Sequence, residues 1–217
     1  MKVAVLGTGM VGTTIGSKLI QLGHEVKLGS RTNNNEKAIE WTTTNGEKAT
    51  HGTFAESAAF GEIVFNCTKG EVSIEVLNLA GEQNLAGKIL IDIANPLDFS
   101  KGMPPTLSIV NDNSLGEETQ KAFPNVKLVK TLNTLWCGLM VNPAMIGNAD
   151  HNIFMSGNDA DAKTKVKELL TSFGWLAHNI LDLGDITTAR GTEMFLPLWL
   201  RIMGATNNGA FNIKIVS

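Results

Sequence analysis

The run Gly7-Thr8-Gly9-Met10-Val11-Gly12 constrains this chain more than any other feature, because of what stands on either side of it. Before it lies the short apolar run 3–6, suited to a strand buried on both faces; after it, Val11, Ile15, Leu19 and Leu22 recur at near-helical spacing across 10–22. A G-x-G-x-x-G between a strand and a helix asks for a tight turn at Gly7, a close backbone approach to a pyrophosphate at Gly9, and close packing of helix on strand at Gly12. Thr8, Met10 and Val11 fill the loop at the helix N-terminus, where free N–H groups and the helix dipole favour an anion.

The rest of the chain keeps the same alternation. Strands are expected at 24–28, 63–66, 88–93 and 126–131, and helices at 34–44, 72–80 and 115–122. Residues 151–181 read as one more strand-helix-strand unit, at 151–156, 160–172 and 177–181. Strands taking turns with helices need crossover connections, so the expected fold is α/β: a Rossmann-type, doubly wound, mainly parallel sheet with a small helical C-terminal cap. The division falls near Gly184, with a dinucleotide-binding domain at 1–183 and a cap and dimerisation segment at 184–217. In the latter, 186–203 reads as one long helix, kinked or broken near Pro197, and 211–216 as a closing strand. Met194, Phe195, Leu196, Leu198, Trp199 and Leu200 put enough apolar surface on that helix to predict a homodimer.

Composition narrows the partners. Lys and Arg total 18 against 21 Asp and Glu, a net charge of −3, without the basic run that nucleic acid would demand. The first apolar run stops at Gly7, so neither a signal peptide nor a membrane span is expected. Cys67 and Cys137 stand far apart and outside any C-x-x-C, which points to a cytoplasmic setting and away from disulfides or structural zinc. His24, His51, His151 and His178 share no spacing and read as packing or surface residues; no metal site is expected.

The chemistry concentrates where strands end. At the end of the second strand, NAD selection would place Asp or Glu against the ribose 2′-hydroxyl, and the chain offers Gly29-Ser30-Arg31-Thr32 instead. Ser30 can donate a hydrogen bond and Arg31 a charge-assisted one to a 2′-phosphate, with Lys37 a further positive charge, so NADP is favoured. The loops Cys67-Thr68-Lys69 and Ala94-Asn95-Pro96 follow the next strands and should border the cofactor. The loop from Asn133 through Thr134 and Trp136 to Cys137 leaves a further strand in the same way.

Taken together, 7–12, 29–31, 92–97, 129–134 and the helical stretch 189–198 resemble the F420-dependent NADP oxidoreductase family, whose members pass hydride between NADP(H) and a deazaflavin. The resemblance implies that Thr8, Ser30, Arg31 and Lys37 address the NADP phosphates and that the loops at Thr68 and Asn95 hold the ribose and nicotinamide. It also implies that Asn133, Thr134, Trp136, Cys137 and Met194 face the second substrate, F420 or a flavin such as FMN or FAD. The cytoplasmic domains of STEAP-type metalloreductases are similar in the same segments. The acidic tail of F420 would find few cations there, chiefly Arg190, Arg201 and Lys214.

No Ser/His/Asp arrangement, H-E-x-x-H or carboxylate pair is visible, and the chain has no tyrosine. Carbonyl reduction needs a placed acid, whereas hydride exchange between two ring cofactors needs orientation and exclusion of water. The catalytic residues are therefore left open and ring-to-ring transfer is favoured. One rival is an NADPH-dependent reductase of a small carbonyl or imine, with Lys69 or Lys130 as proton donor or substrate clamp. A second is a non-catalytic NADP(H)-sensing module.

Overall fold

The computed structural model describes residues 1–216. Strand β1 (Lys2–Leu6) leads through the glycine loop into helix α1 (Met10–Gln21), followed by β2 (Glu25–Ser30), α2 (Glu36–Asn45), β3 (Ala49–Thr53), α3 (Phe54–Phe60) and β4 (Ile63–Asn66). The second half runs through α4 (Ser73–Ala80), α5 (Glu82–Leu85), β5 (Ile89–Asp92), the small antiparallel pair β6 (Leu97–Asp98) and β7 (Thr106–Leu107), α6 (Leu115–Ala122) and β8 (Lys127–Thr131). It closes with α7 (Cys137–Val141), β9 (Ile153–Ser156), α8 (Ala160–Ser172), β10 (Ile180–Gly184), α9 (Ala189–Met194) and α10 (Leu196–Thr206).

One sheet of eight strands, ordered β10-β9-β8-β5-β4-β1-β2-β3, organises the molecule. The six strands from β3 to β8 run parallel, while β9 pairs antiparallel with β8, and β10 parallel with β9. Strand order reverses between β1 and β4, the crevice where open α/β sheets take their ligands. Alternation along β1 builds both layers: Val3 and Val5 join the core with Ile15, Leu19 and Trp41, whereas Ala4 and Leu6 join the one with Phe54, Val76 and Leu77.

Local chemistry sets the helix starts. Asn35 accepts the Ala38 amide at 3.1 Å and Asp159 the Ala162 amide at 2.8 Å. Thr53 and Glu56 form a reciprocal capping box at the start of α3.

Four expectations need correction. Residues 49–60, given no element from the sequence, form β3 and α3: β3 is an edge strand, paired only with β2, and carries no apolar run. Residues 177–179 make a 3-10 turn and the strand starts only at Ile180. The tail helix starts only at Ala189, and of the kink or break expected near Pro197 it is the break that occurs. A 3-10 turn at Ile186–Thr188 precedes α9, and the chain breaks at Phe195, where Pro197 is accepted in the first turn of α10 because the amide it lacks has no intrahelical partner there. Residues 211–216 are not a strand. They lie along β9 as an extended strap, held where the Asn152 amide donates to the Ile213 carbonyl at 3.0 Å and the Asn212 amide group to the Asn152 carbonyl at 2.8 Å.

Candidate active site

The glycine loop has the geometry its sequence asks for. Gly7 sits at φ +115°, and a Cβ there would stand 2.8 Å from the Cys67 carbonyl oxygen; a Cβ on Gly12 would lie 2.0 Å from the Gly7 carbonyl oxygen. Gly9 is different: a Cβ there meets no atom within 4 Å. That face is open to an incoming group, at the start of a twelve-residue helix with neither a side-chain cap nor an acid in its first turn. The cradle fits a pyrophosphate.

At the end of β2, Ser30 is buried and its hydroxyl donates to the Thr32 carbonyl at 2.6 Å, fixing the turn that carries Arg31 outward. Arg31 is exposed and paired with Glu75 of α4 at 3.2 Å. An exposed pair of this kind contributes little, so Arg31 can exchange its partner readily. Lys37 is exposed on α2.

The strand ends beyond β4, β5 and β8 converge with α1 and α10 on a cavity of about 130 Å³. Val11, Cys67, Thr68, Ile93, Asn95, Asn133, Leu135 and Met140 form its floor and walls; Leu196 and Trp199 close it from α10. A second cavity of about 220 Å³, lined by Lys69, Ala94, Leu97 and Phe99 among others, shares Thr68, Ile93 and Asn95 with the first. Larger clefts lie on the outer face of α1 around Thr14 and Lys18, and at the opposite, amino-terminal end of the strands around Lys88 and Lys127; neither touches the glycine loop.

Leu132, buried at φ +62°, turns the chain after β8, a conformation uncommon for a residue with a side chain and worth attention beside a cleft. Next to it, Asn133 donates to the Asn95 side-chain oxygen at 3.0 Å, and Asn95 donates back to the Asn133 backbone carbonyl at 2.8 Å. This reciprocal pair locks two loops together and turns the Asn133 side chain into a fixed wall.

Behind the cavity lies a buried ionic cluster. Lys130 is fully covered and satisfies all three of its N–H donors: Asp92 Oδ2 at 2.7 Å, Glu193 Oε1 at 2.8 Å, and the Ala94 carbonyl. Burial drives the ammonium toward neutrality, but the two carboxylates more than offset that and leave its pKa above the ordinary lysine value. Lys130 is absent from the cavity lining, which removes it as substrate clamp or proton donor. Cys67 does line the cavity; burial first, then the charge of Asp92, push its thiol upward, so it is a neutral wall and not a nucleophile.

The turn after β8 and the start of α7 separate the sequence-expected residues. Asn133 and Leu135 line the cavity, while Thr134, Trp136 and Cys137 do not; Met194 is 39% exposed on α9, outside it. Pro96 is buried beneath the second cavity's loop, and Lys69 is exposed beside Glu71 at 3.6 Å. Leu196, Trp199, Leu135 and Met140 were not singled out as cavity residues by the sequence. The two α10 residues carry a signal, their apolar bulk, which suits a subunit surface as well as a cavity wall.

Of the cations near the tail, Arg190 is engaged by Glu117 through two hydrogen bonds and Lys214 by Asp150, which leaves Arg201 without an ion-pair partner among the described residues. Among those residues there is no group of three or more His, Cys, Asp or Glu placed to hold a metal, and no helix is long and apolar enough to cross a membrane.

Residues 2–96 match the model of the family of NADP oxidoreductases dependent on coenzyme F420. A candidate F420-dependent NADP reductase from Arthrobacter sp. FB24, known from its crystal structure, is 50% identical, with all of both chains covered and a TM-score of 0.94. The chain belongs to the F420-dependent NADP oxidoreductase family. Metalloreductase STEAP3 of Rattus norvegicus is 28% identical over 91% of this family member, which spans only 38% of that protein's length. The hypothetical protein SMa0349 of Sinorhizobium meliloti, 22% identical with 87% of each chain covered and a TM-score of 0.68, shares the fold.

Proposed function

We propose that this protein transfers hydride between NADP(H) and a second redox cofactor, the deazaflavin F420 or a flavin such as FMN or FAD. The observation that carries the reading is the makeup of the cavity beyond the β4, β5 and β8 ends. The one titratable residue lining it is Cys67, whose thiol burial and the charge of Asp92 push upward into a poor proton donor for a nascent alkoxide; Lys69 and Glu71 line only the adjoining cavity, and such a lining suits exchange between two rings. When bound, the nicotinamide would supply or accept hydride and the second ring would do the reverse.

The chain's own residues bind, orient and exclude water. The open face of Gly9 and the amides around Thr8, Met10 and Val11 receive the pyrophosphate. Arg31 releases Glu75 to meet the 2′-phosphate, with Ser30 shaping its turn and Lys37 adding charge from α2. Cys67, Thr68, Lys69, Ala94, Asn95 and Pro96 hold the ribose and nicotinamide side, and Asn133 fixes the ring's orientation. Leu196 and Trp199 close the cavity against water, which leaves hydride transfer as the open route.

The second substrate sits toward 133–137 and the tail, and we read 184–217 as the cap of a nucleotide domain spanning 1–183. Two further readings belong with this one. The free thiols of Cys67 and Cys137 support a cytoplasmic protein. The exposed Met194 and Leu198 of the tail support a homodimer.

The deciding assay follows anaerobic NADPH oxidation at the nicotinamide absorbance band with F420, FMN, FAD, ferric chelates, small 2-oxo acids and imines in parallel. Turnover with a deazaflavin or flavin supports the proposal. Turnover confined to carbonyls or imines overturns it, and binding of NADPH without turnover on any acceptor points to a sensing module.

A further inference from the structure

Both ends of the Asp92–Lys130–Glu193 cluster lead to the cavity. From Asp92, Oδ1 accepts the Ala94 amide at 3.2 Å and the Asn66 side-chain amide at 2.8 Å. Asn66 in turn accepts the Thr68 hydroxyl at 2.7 Å. The two floor loops, at Thr68 and at Ala94-Asn95, therefore hang from one carboxylate at the tip of β5.

From Glu193, Oε2 accepts the Leu115 amide at 2.7 Å and Oε1 the Gly116 amide at 3.0 Å, so the side chain reaches from α9 to cap the start of α6. One turn away, Arg190 Nε donates to Glu117 of the same α6 at 2.8 Å. Helix α9 is thus clasped to α6 at two points, and α10, which follows it after a single residue, carries Leu196 and Trp199 over the cavity. Lys130 joins the two halves: it bridges Asp92, its register partner across the sheet, to Glu193.

The charges do not balance locally. One buried cation faces two buried carboxylates, and the remaining negative charge rests on the N-terminus of α6. Such a cluster is poor at stabilising a fold compared with apolar packing of the same volume, but it tolerates only one geometry, since every donor and acceptor must be matched.

We propose that Glu193 is a positioning residue for hydride transfer: through Lys130 it fixes the lid carried by α10 at a set height above the floor loops that Asp92 holds. The proposal rests on the hydride-transfer reading of the cavity and adds to it the residue that sets the spacing across which the rings meet. A glutamine at 193 keeps one acceptor but turns an NH₂ toward a site where every neighbour, the Leu115 and Gly116 amides and the Lys130 ammonium, is a donor. The clasp must then slacken, while the adenosine end at Arg31 is untouched.

The test compares wild type with Glu193→Gln in three measurements: NADPH affinity by fluorescence titration, kcat and KM with whichever acceptor supports turnover, and amide hydrogen exchange of 196–206. NADPH affinity and KM should stay within about threefold while kcat falls at least about tenfold, as expected of a misplacement that leaves binding intact. Exchange of 196–206 should rise while that of β1 and β4 does not. An unchanged kcat with unchanged exchange overturns the proposal, as does a parallel loss of affinity and kcat with exchange raised throughout the sheet. Should Glu193→Gln fail to fold, Glu117→Gln loosens the same clasp from the Arg190 side and should raise exchange of 196–206 and lower kcat in the same sense; no change in either overturns it. If wild type turns over no acceptor, the hydride reading fails by itself, and the exchange of 196–206 still decides whether Glu193 holds the lid.

Discussion

Gly9 and Gly12 share one turn and answer to different constraints. At Gly12 the space is taken by protein, since an added methyl would press on the Gly7 carbonyl at 2.0 Å. Gly12→Ala should therefore destabilise the fold by roughly 1–3 kcal/mol and lower Tm by several degrees, read by thermal denaturation. At Gly9 no protein atom competes for the space, and its φ of −79° suits any residue. Gly9→Ala should shift stability by no more than about 1 kcal/mol yet weaken NADPH binding severely, because the methyl would occupy the approach of the pyrophosphate. Normal NADPH titration of a folded Gly9→Ala protein would show that the loop holds no phosphate.

Arg31 is the residue on which cofactor preference should turn. A hydrogen bond to a charged phosphate contributes about 1.5–3 kcal/mol, so Arg31→Ala should weaken NADPH by roughly one to two decades and leave NADH almost unaffected. Its 61% exposure favours the lower end of that range. Equal losses for both nucleotides, or none, would place the 2′-phosphate elsewhere.

At the scale of elements, the clasp between α6 and α9 carries a pH signature. Hydrogen bonds from Arg190, then Ser114, hold the Glu117 carboxyl below its ordinary value of 4.5. A carboxyl depressed in the folded state binds fewer protons there than in the unfolded chain. Its contribution is therefore complete above about pH 4.5 and fades as pH falls through the folded value. Thermal stability should decline in that acid range, and Glu117→Gln should flatten part of the decline; an identical pH profile for the variant would show that the pair contributes nothing.

Three elements were legible residue by residue: β4 as an apolar run, and α6 and α8 as polar helices opened by the caps Ser114 and Asp159. β3 was not legible, because an edge strand reading Ala-Thr-His-Gly-Thr needs no apolar alternation. The same distinction holds in the site. The glycine loop and the strand-end loops announce themselves by position, whereas the inward turn of Leu196 and Trp199 does not. An apolar side chain on a helix does not say whether it faces its own cavity or another subunit. Nor could spacing reveal Glu193, since it meets Lys130 only through the packing of α9 against α6.

For the whole molecule, part of the apolar surface that pointed to a dimer proves to be internal. Leu196 and Trp199 are turned inward, the latter stacked on Phe211 at 5.4 Å, and Met194 and Leu198 remain exposed at 39% and 55%. Light scattering at micromolar concentration should give twice the 23.3 kDa of one chain, and a monomeric mass would assign those two residues to an uncovered surface.

The reversal of direction between β8 and β9 also settles the route the chain can take to its own cleft. Because β9 and β10 descend where the other strands climb, the backbone leaves β10 at Gly184 level with the end of β9, whose Ser156 lies beside Lys130, and not beyond the strand tips. The 3-10 turn at Ile186–Thr188 and the six-residue α9 then lead past Glu193 and deliver α10 to the cavity. One change of strand direction thus sets the path by which α10 becomes the roof of the cavity.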